Sequence, residues 1–228
     1  MAAVKFCPRC ATSLQTGAIG GRERPFCPAE GCGYVFFGDF SIGCGGVVIR
    51  DGKVLLVQRG HNPGKGSWQI PGGYVEADEP IVEAVIRECK EEAGVTAELI
   101  DVLGFRHSIG APNNPAGAST NIYVVCRLRP IAGEPACDGD EIADAGYFTL
   151  EEVERMERVQ SLSKWAIQRA LETKGSGFIV AHDSADPDRP GWTLFGVPLP
   201  LGVEQVPLVL MRPPVPAAPP EAKPPAAT

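Results

Sequence analysis

Apolar and polar residues follow one another in blocks that predict both strands and helices between residues 39 and about 173. The runs GGVVI (45–49) and KVLLVQR (53–59) flank the tripeptide Arg-Asp-Gly, and Asp-Gly suits a tight turn, so these runs predict an antiparallel hairpin. The run NIYVVCRLR (121–129) predicts another strand of mixed burial. The middle of the chain is therefore expected to fold as one domain of strands and helices.

Three segments have the pattern of helices. The first spans residues 80–93, with Asp78 or Glu79 as its N-cap and Gly94 just past its end. The segment 147–156 indicates a strand that runs into a helix capped by Thr149, and 161–175 indicates a helix stopped by Gly175. At about 100° per residue, one side of the first helix is apolar and is expected to face the core: Val82, Val85, Ile86, Cys89 and Ala93.

The first helix also carries Glu88, Glu91 and Glu92, which fall within a separate arc of about 100° because residues three and four apart are neighbours on a helix. Glutamate is a strong helix former, so a solvated acidic surface is one interpretation. The preceding Gly-rich segment GSWQIPGGYVEADE offers the other, because its turn can direct a backbone carbonyl toward the same point. Carboxylate and carbonyl oxygens are the ligands that Mg²⁺ or Mn²⁺ prefers.

The spacing around these acids resembles the Nudix box, G-x5-E-x7-R-E-U-x-E-E-x-G-U. Gly73 is followed after five residues by Glu79 and after seven more by RECKEEAGV (87–95), with Cys89 and Val95 in the two hydrophobic positions. The segments VLLVQR, GKGSWQIPGGYVE and DEIADAGYFTLEEV extend the resemblance over about residues 39–173. Membership of this family implies the α+β class, with an α/β/α sandwich around a mixed β-sheet.

The resemblance also implies an activity, the metal-dependent hydrolysis of the pyrophosphate bond in a nucleoside diphosphate linked to another moiety such as ADP-ribose, FAD or NAD(H). By resemblance, Glu88, Glu91 and Glu92 hold Mg²⁺ or Mn²⁺ together with the carbonyl of Gly73. Arg87, included among the catalytic residues, and Glu79 would then orient the loop and the carboxylates.

Other roles stay open at this stage. Glu88 is the favoured general base within the helix, whereas Asp140 or Glu141 would supply an acid from a distant loop. Arg59, at the end of a predicted strand, either contacts a substrate phosphate or pairs at the surface. Phe105 and Tyr123 are candidates for stacking on adenine.

Four cysteines lie close together near the start of the chain, in CPRC (7–10) and CPAEGC (27–32). Two such turns can present four thiolates in a tetrahedron, which is the arrangement of a structural zinc site with no open position. We therefore expect Cys7, Cys10, Cys27 and Cys32 to bind Zn²⁺, with reduced cysteines as the alternative. The segment also resembles the β-rich zinc ribbon that precedes the Nudix domain in a subset including NADH pyrophosphatases.

Domain boundaries follow from these patterns. We expect a zinc ribbon at 1–38, a Nudix domain at 39–174, an extension of unknown role at 175–212 and a disordered Pro/Ala-rich tail at 213–228. The net charge of −7 argues against nonspecific nucleic-acid binding. Without a membrane-spanning run or a secretory signal, we expect a cytoplasmic protein that acts on a small nucleotide, with a homodimer left open.

Two other functions remain as alternatives. One is the sanitation of nucleoside triphosphates, which would release pyrophosphate. The other is a regulator that senses a nucleotide and uses the zinc ribbon to bind nucleic acid or protein.

Overall fold

The computed structural model describes residues 4–109, 119–137, 139–173, 177–182 and 194–196. Ten strands lie within them: β1 (Gln15–Ile19), β2 (Arg22–Phe26), β3 (Asp39–Arg50), β4 (Lys53–Arg59), β5 (Trp68–Gln69), β6 (Thr96–Ile109), β7 (Ser119–Ala132), β8 (Ile142–Phe148), β9 (Ile179–His182) and β10 (Leu194–Gly196). The helices are α1 (Ile81–Ala93), α2 (Leu150–Arg155) and α3 (Ser161–Thr173).

Strands β3 to β8 form one mixed sheet in the order β5-β4-β3-β7-β6, with β8 paired to β4. The predicted hairpin is confirmed, because β3 and β4 pair antiparallel from Ile49–Val54 to Arg50–Lys53 around a turn at Asp51 and Gly52. The long parallel pairing of β3 with β7 was not predicted. This pairing places two strands that lie far apart in the sequence side by side at the centre of the sheet.

The sheet is covered on both faces, as the resemblance implied. Successive side chains of a strand point to opposite faces, so Val48 and Leu55 pack toward α1 while Val47 and Leu56 pack toward α2 and α3. The α1 side also buries Cys89, whereas the other side buries residues of α2 and α3. The predicted α+β class and sandwich architecture are confirmed.

Helix α1 ends where it was expected to end but begins differently. Gly94 follows it in the left-handed conformation with φ 69°, which suits glycine. The predicted side-chain cap is wrong: Pro80 is the N-cap, and it makes no side-chain capping bond. Asp78 supplies no cap either, and Glu79 instead directs its carboxylate to Arg87.

The second helix has the predicted start. Thr149 caps α2, accepting a hydrogen bond from the backbone N–H of Glu152, while the Glu152 carboxylate accepts one from the N–H of Thr149. This reciprocal capping box satisfies two N–H groups that a helix end otherwise leaves unpaired. The third helix ends at Thr173, and its predicted stop at Gly175 lies outside the described residues.

A buried ion pair connects the sheet to α3 and to the following segment. Asp101 of β6 is fully buried and accepts a hydrogen bond from Arg127 Nε of β7 at 3.0 Å. Arg127 also donates to the carbonyl of Ala170 at 2.9 Å and to Thr173 Oγ1 at 2.6 Å. Asp101 accepts a second bond from the backbone N–H of Gly177 at 3.0 Å. Each charge is thus hydrogen-bonded as well as paired, as burial requires.

The described part of the extension consists of short strands. Strands β9 and β10 pair antiparallel, and Phe178 exchanges two backbone hydrogen bonds with Val102 of β6 at 2.8 and 2.9 Å. The predicted Pro/Ala-rich tail lies outside the described residues. Among the helices that the structure describes, none has the length and apolar character needed to cross a membrane.

The Asp101–Arg127 pair generates a stability prediction. Replacing Asp101 by Asn leaves a buried guanidinium without its counterion, so the free energy of unfolding should fall by about 3–5 kcal/mol. Denaturant unfolding measures this loss. The matched control is Glu98→Gln on the same strand, because Glu98 pairs with the exposed Arg129 and an exposed pair is worth about 0–1 kcal/mol. Equal effects of the two substitutions would contradict a special role for the buried pair.

Candidate active site

Two carboxylates of α1 lie against the glycine turn that precedes the helix. The buried Glu92 accepts a hydrogen bond from the backbone N–H of Gly72 at 2.7 Å. Glu88 packs so closely on Gly73 that a Cβ at that position would lie 2.6 Å from its Oε1 atom. A side chain at residue 73 would therefore displace the carboxylate, which explains in physical terms why glycine occupies this position.

Arg87 joins the acids of the helix to the loop. Its guanidinium forms a two-point contact with Glu79, at 2.7 and 3.0 Å, and donates to Glu88 at 3.0 Å and to Glu91 at 2.9 Å. A further bond at 3.2 Å reaches the carbonyl of Tyr74. The planar fork of arginine suits such bidentate contacts. Arg87 thus positions the carboxylates, while the exposed Glu83 has no part in this network.

Burial and mutual repulsion act on the protonation of these acids. Burial is the main cause that raises the pKa of Glu92 to about 8; the charges of Glu88 and Glu141 raise it further, while the Gly72 bond and Arg59 oppose the shift. Burial also raises the pKa of Glu88, with Arg87 opposing the shift and Glu91 and Glu141 adding to it. By contrast, hydrogen bonding to Arg87 lowers the pKa of Glu79.

Of the two distant acids, Glu141 acts electrostatically on this site. The charge of Glu141, in the loop before β8, contributes to the raised pKa of both Glu88 and Glu92. Asp140 contacts His61 at 2.9 Å on the surface. The backbone N–H of Gly60 holds the loop to the end of β4 by a 2.7 Å bond to the carbonyl of Glu141.

An open cleft of about 750 Å³ lies beside the glycine turn. Arg59 lines it, with Nε donating to the carbonyl of Pro63 at 3.0 Å, and Gly73 lines it as well. Tyr123 also borders the cleft, whereas Phe105 is exposed and is not among the lining residues. Several polar residues of this cleft were not predicted from the sequence, among them Ser41, Arg106 and Asn121. Only the strand pairing brings them together, so the sequence offered no local signal for them.

The two predicted sets of metal ligands, the four cysteines and the α1 carboxylates, differ in how close together their ligand atoms lie. The thiols of Cys7, Cys10, Cys27 and Cys32 lie within 4.8 Å of one another. Their Sγ separations include 3.4, 3.6 and 3.7 Å, close to the roughly 3.8 Å edge of a tetrahedron with Zn–S bonds of about 2.3 Å. Among the described residues, Glu88, Glu91 and Glu92 form no comparably tight group.

The local backbone explains how the four thiols converge. The N–H of Cys7 bonds to the carbonyl of Thr12, and the N–H of Ala11 bonds back to the carbonyl of Cys7, both at 2.8 Å. A second turn is held by the N–H of Cys27 on the carbonyl of Tyr34 at 2.9 Å. The antiparallel strands β1 and β2 connect the two turns, and this arrangement fits a small zinc ribbon.

Comparison with known proteins agrees with this geometry. A sequence model of the NUDIX domain matches residues 42–168, more than half of the chain. The chain therefore belongs to the Nudix family, and the predicted membership is confirmed.

Two relatives show what the chain is similar to in sequence. It is 36% identical over 111 residues to an ADP-ribose pyrophosphatase of Methanocaldococcus jannaschii, covering 49% of this chain and 63% of that protein. It is 30% identical to a MutT NUDIX hydrolase of Burkholderia pseudomallei, whose crystal structure superposes with a TM-score of 0.51 and covers 57% of this chain and 98% of that one. The chain spans less than two thirds of the length of the curated relatives it matches.

A third similarity concerns the fold alone. The crystal structure of a NUDIX hydrolase from Nitrosomonas europaea superposes with a TM-score of 0.57 at 21% identity, covering 75% of this chain and 92% of that chain.

The cysteine cluster generates a prediction about metal content. The purified protein should contain about one Zn²⁺ per chain, and Cys7→Ser should lose it because three thiolates and a hydroxyl bind zinc far more weakly. Elemental analysis after gel filtration measures the ratio. Cys137→Ser is the matched control, because Cys137 is exposed and lies outside the cluster. Zinc retained in the Cys7 variant, or absent from the unmodified protein, would contradict the assignment.

Proposed function

We propose that the chain is a metal-dependent hydrolase of the pyrophosphate bond in a nucleoside diphosphate linked to another moiety, such as ADP-ribose, FAD or NAD(H). The observation that carries this proposal is the junction of Gly72 and Gly73 with Glu92 and Glu88, which places two largely buried carboxylates beside a cleft of about 750 Å³. A cleft of this volume lies within the range of small-molecule sites. Similarity to an archaeal ADP-ribose pyrophosphatase supports the substrate class.

The donor set fits a hard divalent cation. Glu88, Glu91, Glu92 and the carbonyl of Gly73 would hold Mg²⁺ or Mn²⁺, because these ions prefer oxygen ligands. The Gly73 carbonyl already accepts a bond from the N–H of Cys44 at 2.9 Å, and its second lone pair can still act as a ligand. Burial raises the pKa of Glu88 and of Glu92, and this supports a cation site because a nearby positive charge favours ionised carboxylates. When bound, the ion supplies charge neutralisation for the pyrophosphate and lowers the pKa of a coordinated water.

The protein's own residues divide the remaining tasks. Arg59 lines the cleft and opposes the raised pKa of Glu92, so its positive charge is placed to contact a phosphate beside the carboxylates. Arg87 keeps the carboxylates in position through its bonds to Glu79, Glu88 and Glu91. A general base must then remove a proton from the attacking water. Glu88 and Glu141 are the two candidates.

The surroundings of these two candidates differ. Glu88 is held by Arg87 and packed against Gly73, which suits a ligand with a fixed position. Glu141 belongs to a separate loop, and its charge adds to the raised pKa of both Glu88 and Glu92, which supports a position of its carboxylate near them. We therefore assign the base to Glu141 and keep Glu88, favoured from the sequence, as the alternative.

The substrate class is tested by the products formed from a panel of nucleotides with Mg²⁺ or Mn²⁺. AMP together with a second phosphorylated product identifies cleavage of an ADP-linked metabolite. Release of pyrophosphate from nucleoside triphosphates would point instead to sanitation of the nucleotide pool. The absence of turnover with every nucleotide and both metals would overturn the proposed hydrolase and favour a nucleotide-sensing regulator.

The α1 carboxylates generate an activity prediction. Glu91→Gln and Glu92→Gln should fold normally but lose most metal-dependent hydrolysis, because an amide cannot supply the negative charge that holds the cation. Steady-state rates at saturating Mg²⁺, with circular dichroism as a folding check, measure the effect. Glu83→Gln on the same helix is the control, since Glu83 is exposed and outside the Arg87 network. Full activity in both variants would refute the site.

The general base generates a separate prediction. Glu141→Gln should lower kcat by about 10²–10⁴-fold, the range typical of a lost acid or base, and should remove the acidic limb of the pH–rate profile. Asp140→Asn, the adjacent acid that contacts His61, should keep the rate and the profile. A normal profile in the Glu141 variant, with the acidic limb lost in Glu88→Gln instead, would assign the base to Glu88.

A further inference from the structure

A row of polar side chains crosses the sheet at the part of the cleft formed by β3, β7 and β6. Arg106 of β6 donates to Asn121 Oδ1 of β7 at 2.6 Å, and Asn121 Nδ2 donates to Ser41 Oγ of β3 at 2.9 Å. All three residues line the cleft. One edge of the Arg106 guanidinium is therefore fixed by a neutral amide, which leaves its positive charge uncompensated by this contact.

The same guanidinium also packs on the aromatic ring of Tyr123. Arg106 Cζ lies over the ring of Tyr123 at 5.4 Å from its centroid, within the range of a cation–π contact. Tyr123 in turn lies flat on β3, because a Cβ at Gly43 would come within 2.7 Å of its ring and a Cβ at Gly45 within 2.6 Å of its hydroxyl. Burial raises the pKa of the Tyr123 phenol. Tyr123 thus packs between β3 and the guanidinium of Arg106, and Arg106 is exposed to the cleft.

The position of this group relative to Arg59 suggests which part of a nucleotide it contacts. Arg59 ends β4 and Arg106 lies on β6, with β3 and β7 between them in the sheet. Both side chains line the same cleft. Since the charge of Arg59 acts on Glu92 and Arg106 lines the same cleft, a nucleotide whose phosphate binds at Arg59 can extend toward Arg106.

From this arrangement we infer that Arg106 is a specificity-determining residue that stacks its guanidinium plane on the nucleobase of the substrate. The inference rests on the proposed function for the identity of the ligand as a nucleotide. A guanidinium plane backed by Tyr123 and held by Asn121 keeps one flat face for a second planar group, and bases stack on arginine planes in this way. The neighbouring Ile70 and Leu162 give the cleft apolar walls that favour a flat ring over a hydrated phosphate.

Binding of AMP and of ribose 5-phosphate, measured by calorimetry, tests the inference without requiring turnover. The two ligands share a sugar phosphate and differ in the base. Arg106→Ala and Arg106→Lys should both weaken AMP binding on the order of 10-fold, because lysine keeps the charge but lacks the plane. Both variants should leave ribose 5-phosphate binding unchanged. Asn121→Ala, which releases the guanidinium edge, should weaken AMP binding by a smaller factor.

A control variant and three outcomes test the role of Arg106 further. Arg129→Lys on β7 is the control, because Arg129 is exposed, pairs with Glu98 and does not line the cleft. This substitution should change the binding of neither AMP nor ribose 5-phosphate. The inference is overturned if Arg106→Lys binds AMP like the unmodified protein, if ribose 5-phosphate weakens in parallel with AMP, or if the unmodified protein shows no saturable AMP binding at millimolar concentration. Base-dependent AMP binding without hydrolysis of any nucleotide would instead refute the proposed function and leave the role of Arg106 intact.

Discussion

The hydrogen bonds of Arg87 are the interaction on which the acidic site depends. Like charges three and four residues apart on a helix repel each other, and burial makes the repulsion costlier because the surroundings screen it less. Arg87 offsets this by contacting Glu79, Glu88 and Glu91 with one guanidinium. Because Glu79 belongs to the loop and the others to α1, the same residue also fixes the loop on the helix.

Local patterns predicted much of this structure. The hairpin turn at Asp51 and Gly52, the end of α1 at Gly94 and the cap at Thr149 each depend on a few adjacent residues, whose preferences act in any context. The four cysteines converge because their two turns are tight and are connected by a short hairpin. Each of these features was predictable because it needs no knowledge of distant contacts.

What the sequence did not predict requires tertiary packing. The helical periodicity assigned Val82 to the core, yet Val82 is only half-buried, whereas Glu92 is buried against Gly72. The Asp101–Arg127 pair and the row from Arg106 to Ser41 depend on the register between strands that are distant in sequence. A shift of the strand register by one residue would turn these side chains to the opposite face of the sheet. The composition or spacing of one segment therefore could not identify them.

The two candidate metal sites differ in a way that their chemistry explains. The four thiols of the cysteine cluster lie within 4.8 Å of one another. Carboxylates repel one another, and those of α1 are instead distributed between Arg87 and the N–H of Gly72. Thiolate ligands in a closed tetrahedron suit a permanent structural ion, whereas Mg²⁺ is commonly held by a few carboxylates together with substrate phosphates. The donor atoms of the cysteine cluster therefore suit a structural Zn²⁺, whereas the oxygen donors of α1 suit a cation of the Mg²⁺ kind.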